Sequence, residues 1–181
     1  SYTPQVIRRN LQTLCTALDV TYDPAEDEAR AQQALRHAKA LLGDTEIAID
    51  YTATPAPMSL ARCLIEHGLR VSRIYADSIA ADDLDDFRWL QENAPDLSLY
   101  ATVEVKLRVL PRRTERPMLA IGQKAAYFTG TQHFVNIVEG GGMYGFDGIC
   151  RLCARIEEAF LTARNPRNYI QQKGLGCESC L

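Results

Sequence analysis

The sequence lacks any apolar run approaching the roughly 20 residues that a membrane-spanning helix needs, and no signal peptide is expected at its start. It also lacks an excess of positive charge. Its 20 Lys and Arg stand against 23 Asp and Glu, a net charge of -3. Phosphate-backbone contact requires clustered cations, so neither nucleic acid nor a membrane is an expected partner. The one basic run, "RVLPRRTER" (108–116), reads most simply as a solvated loop. Six cysteines in a chain with a normal core do not make a disulfide scaffold, and a reduced, cytoplasmic setting is expected. Internal repeats and low-complexity segments are also missing. The first residue is Ser, as expected of a processed chain or an excised domain.

What is present suits one globular domain: 181 residues, 46% hydrophobic, enough to bury a real core. The first forty residues read as two helices. In "TPQVIRRNLQTLCTALDV" Thr3 and Pro4 mark a start, and Val6, Ile7, Leu11, Leu14, Cys15 and Leu18 follow helical spacing. "YDPAEDEARAQQALRHAKALLG" carries acids in its first turn and stops at Gly43. After Gly43 strands alternate with helices. Strands are expected at 45–51, 70–76, 96–103, 117–122 and 133–138, and helices at 58–68, 82–94, 123–130 and from about Asp147 to Ala163.

That alternation predicts a three-layer α/β fold: a mostly parallel five-stranded sheet, helices on both faces, Rossmann-like, with two leading helices. The expected organisation is a helical lead-in over 1–43, an α/β domain over 44–172, and a flexible cysteine-containing tail over 173–181. Ligands of such sheets sit beyond the carboxyl ends of the strands. Three loops therefore matter: "DYTATPAP" after the first strand, "IGQK" after the fourth and "VEGGGMYGFDG" after the fifth.

The glycine loop ends in no Gly-Lys-Ser/Thr and lacks dinucleotide spacing, so it is not a nucleotide loop. Asp147 is expected to cap the helix that follows, although an anion could take the same amides. Cys150 and Cys153 are expected to pack into the core. Cys177 and Cys180 read as a loose redox or metal-binding pair. His37 and His67 fall on helix surfaces, and His133 opens the fifth strand near the ligand edge. Lys124 stands where an anion would arrive. The acids of "DDLDDF" (82–87) read as a solvated helix face.

The stretch "IGQKAAYFTGTQHFVNIVEGGGMYGFDG" resembles the nitrogenase component 1 family, which includes cofactor-assembly scaffolds and dark-operative protochlorophyllide reductase. The likeness extends to "DTEIAIDYTATPAPMSLARCLIEHGLRVSRIYAD", which is similar to the opening strand–helix–strand of that family's last α/β domain. In catalytic molybdenum–iron alpha chains the same Gly-Phe-Asp-Gly follows a histidine that ligates molybdenum. Here Tyr144 stands in its place, and a phenol with a pKa near 10 is a poor substitute for imidazole at neutral pH. Thr54 precedes Pro55 where those chains carry an arginine. Lys124 matches a family lysine near the cofactor's organic acid.

The resemblance implies a C-terminal domain of a divergent, non-molybdenum oxidoreductase subunit. Tyr144 would be its catalytic hydrogen-bond or proton donor, and Lys124, Gly140, Gly141, Gly142, Tyr144 and Thr54 would line a cofactor or substrate pocket. No metal ligand is expected in the domain itself, which alone would carry no cofactor and no activity. The intact assembly would hold an iron–sulfur or related metal cluster, a paired homologous subunit and an ATP-dependent reductase. Two other readings stay open: a non-catalytic scaffold for cofactor assembly, and a stand-alone anion- or zinc-binding module.

Overall fold

A computed structural model of the protein describes residues 1–109, 116–166 and 168. The order of elements is α1 (Pro4–Leu18), α2 (Ala25–Leu42), β1 (Glu46–Asp50), α3 (Pro57–Glu66), β2 (Arg70–Tyr75), α4 (Leu84–Asn93), β3 (Ser98–Tyr100), β4 (Met118–Ile121), α5 (Gln123–Thr129), β5 (Phe134–Val135) and α6 (Gly145–Leu161). The strands form one sheet in the order β3-β2-β1-β4-β5, and every pairing is parallel. The three-layer, Rossmann-like reading of the sequence therefore holds.

Alternation along the strands decides which helix covers which face. Ile47 and Ile49 of β1, Ile74 of β2 and Leu119 and Ile121 of β4 enter the larger core with α2, α3 and α6. Ala48 and Ala120 point the other way, where their small side chains let Ala125 and Ala126 of α5 lie close to the sheet. On that second face Tyr75 stacks between Tyr100 and Phe128, at ring-centroid distances of 5.2 and 5.0 Å. The leading helix α2 buries Ala31, Leu35, Ala38 and Leu42 in the larger core. Burial of each leucine there contributes about 2 kcal/mol.

Two strands are shorter than the sequence suggests, for local reasons. A turn closed by the Glu104 amide on the Ala101 carbonyl, 3.1 Å, leads β3 into a 3-10 turn over Val105–Arg108. The Ile137 amide turns back onto the Val135 carbonyl, 3.2 Å, and ends β5 after two residues. The tail cysteines Cys177 and Cys180, and Pro111, lie outside the described residues. Among the described residues no helix is long and apolar enough to cross a membrane.

Candidate functional site at the carboxyl edge

At the carboxyl edge of the sheet the order 3-2-1-4-5 reverses direction between β1 and β4. The ligand of a doubly wound fold enters at such a point, against helix N-termini. Here β1 ends in Asp50, which is fully buried. Its Oδ1 accepts from the Thr52 amide at 2.8 Å, the Ala53 amide at 3.1 Å and the Thr52 hydroxyl at 2.5 Å, while its Oδ2 accepts from the Ala125 amide at 2.7 Å. Burial pushes the Asp50 carboxyl up, and these four donors pull it back. A methyl group on Gly122 would stand 2.2 Å from Asp50 Oδ2, so only glycine, at φ +110, lets the β4–α5 turn pass this carboxylate.

The N-terminus of α3 is closed in the same manner from a distance. Asp83, 2% exposed, accepts from the Met58 amide at 2.8 Å and the Ser59 amide at 2.9 Å. Asp86 beside it takes the Thr3 hydroxyl at 3.3 Å and the Arg62 guanidinium at 3.1 Å. The expectation of a solvated face over 82–87 is therefore corrected for these two acids. Asp83 is buried because α3 leaves its first amides without an internal partner and this carboxylate supplies one, and Asp86 because Thr3 and Arg62 close over it.

The start of α6 differs. Tyr144 occupies its N-cap position without a side-chain bond to the first turn. Asp147, expected as the cap, lies inside the first turn and pairs with Arg151 at 2.9 Å. The helix begins two residues earlier than its acid suggests because Gly148 lets the first turn press on Met143. A methyl there would come within 2.3 Å of Met143 backbone carbon. The glycine loop is tied to the β1 loop by two backbone bonds, Glu139 amide to Thr52 carbonyl at 2.8 Å and Gly140 amide to Ala53 carbonyl at 2.7 Å. Gly140 is buried, whereas Gly141 and Gly142 are exposed. The Tyr144 ring is 54% exposed, and its hydroxyl donates to the Glu139 carbonyl at 2.9 Å.

Thr54 is fully buried under this loop and accepts from the Tyr2 hydroxyl at 3.1 Å. Burial, more than any other influence, pushes the Tyr2 phenol up. The Thr54 bond opposes it, and Tyr144 and Cys63 reinforce it. Lys124 is half-buried on the far side of the β1 loop. Its ammonium lies 4.3 Å from the centre of the Tyr51 ring and also hydrogen-bonds the Tyr51 hydroxyl. Asp77, which follows β2, is joined to Tyr51 and to Thr102 beyond β3. Burial raises the Asp77 carboxyl, but those hydroxyls, the Val103 amide and the Lys124 charge together hold it below its ordinary value. Lys124 thus meets the 51–54 loop at Tyr51, and Tyr144 is joined to it through Glu139, whose amide bonds the Thr52 carbonyl.

Sequence reasoning found the three loops but missed Asp50, Asp83, Tyr51 and Asp77. The readable signal was an acid closing β1 ahead of Tyr and Thr, a pattern that makes an Asx turn. His133 stands at the amino end of β5, not near the ligand edge as expected, and its Nδ1 lies 2.9 Å from the Ala159 carbonyl of α6. Cys153 is buried and Cys150 half-buried on α6. Burial pushes the Cys153 thiol up to about 12, so it packs as a small apolar group. Among the described residues no three His, Cys, Asp or Glu gather as a metal would require.

No family model and no curated protein matches the sequence. The fold itself has a solved counterpart: nitrogenase Cp1 at pH 6.5 is 15% identical, with a TM-score of 0.61, over 95% of this chain and 39% of that one. The chain is therefore similar in fold to about two fifths of a nitrogenase Cp1 chain.

Proposed function

We propose that this chain is the C-terminal domain of a nitrogenase component 1-type oxidoreductase subunit of a divergent, non-molybdenum kind. Its carboxyl edge would wall one side of a cofactor or substrate pocket in a multi-electron reduction. The observation that carries the placement is the contrast among helix starts: α3 and α5 are closed by Asp83 and Asp50, whereas α6 opens beside Gly140–Gly142 without a side-chain cap. The likeness in fold to nitrogenase Cp1 supports the class.

The donors at this edge are amides, hydroxyls, the Lys124 ammonium and the Arg151 guanidinium, which donates to the Gly142 carbonyl at 2.7 Å. They fit the outer contacts of an anionic group and do not fit a metal's own ligand shell. A cluster held elsewhere in the assembly would supply electrons. This chain would contribute a phenol, Tyr144, exposed enough to donate a hydrogen bond or proton to a substrate, and Lys124 as a fixed positive charge. Thr54 would act from below by holding Tyr2, since its own hydroxyl is covered.

The test is anaerobic purification of the intact assembly, followed by iron and sulfide analysis and a reductase- and ATP-dependent reduction assay. An iron–sulfur cluster with ATP-coupled turnover supports the reading. A cluster without turnover makes the protein an assembly scaffold instead, and the lack of any cluster removes the class. Unchanged substrate affinity and rate in Tyr144→Phe within that assembly would remove the role of Tyr144.

A further inference from the structure

A groove of about 410 Å³ lies on the other side of the glycine loop, between β5 and α6. Its volume is in the range of small-molecule sites. Its floor is apolar: Val135, Ile137, Met143 and Ala159 line it, and all four are buried. Its mouth is not. Arg155 from α6 and Arg164 beyond it both reach Glu158, Arg155 Nη1 to Oε2 at 3.2 Å and Arg164 Nη2 to Oε1. Arg164 is fixed in place by its own amide, which donates to the Gln132 carbonyl at 2.7 Å.

Each guanidinium has five N–H donors in a planar fork, and among the described residues Glu158 takes one from each. Most of the donors of both therefore remain for a ligand, and the three charges sum to one positive.

We propose that this groove binds a monocarboxylate with a short apolar body, its carboxylate on the Arg155 and Arg164 donors that Glu158 leaves unused and its hydrocarbon on the Val135–Met143 floor. The single surplus charge selects the class. A multiply charged phosphate would overbalance that one charge beside the Glu158 carboxylate, whereas one carboxylate balances the mouth. The floor rewards a ligand with carbon attached, and inorganic anions gain nothing from it. This site shares only the glycine loop with the edge described above, and it does not depend on the reading given there.

Titration of the chain with sodium hexanoate by calorimetry tests the proposal, with inorganic phosphate and hexanol as comparison ligands. Hexanoate is expected to bind saturably at one equivalent and more tightly than either. Arg164→Gln, which removes a half-buried charge at the mouth, is expected to weaken it roughly ten-fold or more, as loss of a charged hydrogen bond does. Arg155→Gln is expected to act in the same direction, with circular dichroism of both variants unchanged. The proposal is overturned if hexanoate gives no saturable binding, if phosphate binds as tightly, or if both arginine variants keep the original affinity.

Discussion

The starts of α3 and α6 follow strands of the same sheet and face the same edge, yet they are finished differently. At α3 a carboxylate from a different crossover, Asp83, is buried to receive two amides. At α6, among the described residues, no side chain bonds the first-turn amides, and the first acid of the helix turns outward to Arg151. The first arrangement rigidifies a corner and leaves no anion position. The second keeps the backbone available and relies on packing, Gly148 against Met143 and the glycine loop on the β1 loop, to hold the turn. Among the described residues, then, carboxylates close the central starts at α3 and α5, and none closes the outer start at α6.

The largest expected effect breaks the closed side. Gly122→Ala sets a methyl against the Asp50 carboxylate and should cost about 3 kcal/mol or more, read as a fall in the urea midpoint. An unchanged midpoint would show that the β4–α5 turn is not held by this contact. Asp83→Ala leaves two buried amides without an acceptor and should cost about 2 to 4 kcal/mol in the same assay. Gly148→Ala tests the open side, where overpacking on Met143 should cost about 2 kcal/mol. Tyr144→Phe removes one exposed hydrogen bond and should change stability by less than about 1 kcal/mol, which separates its structural role from any catalytic one.

Acidity sharpens the contrast further. Burial raises the carboxyls of both Asp50 and Asp83 above the unfolded value near 3.9, against the pull of their amide donors. A raised carboxyl binds its proton more readily in the folded chain. Its linked stability is then fully present below pH 4 and is lost as pH rises through the folded values. In urea titrations from pH 3.5 to 7, the advantage of the natural chain over Asp83→Asn should shrink as pH rises. A growing advantage would reverse the assigned direction.

The order of elements was legible because each segment between Gly43 and Leu161 has one strong period. Ile47 and Ile49 in β1, and Ile149, Leu152, Cys153 and Ile156 in α6, announce their faces. Strand ends were less legible, because the turns after Val135 and Ala101 depend on hydrogen bonds between residues that carry no strong turn signal. The buried acids were least legible of all. Asp83 and Asp85 look alike in "DDLDDF", and only the arrival of α3 makes one of them a cap. At the edge, sequence pointed to Lys124 but not to Tyr51, its actual neighbour, since Tyr51 is 73 residues away along the chain.

One consequence concerns observation rather than chemistry. The chain has a single tryptophan, Trp89, and the Arg62 guanidinium lies 5.0 Å from the centre of its ring, on the corner where α4 meets α3. Its emission is thus a built-in optical probe of the Asp83–Asp86 corner. Unfolding followed by this one fluorophore reports first on that corner, while a ligand settling near α6 calls for a probe of its own.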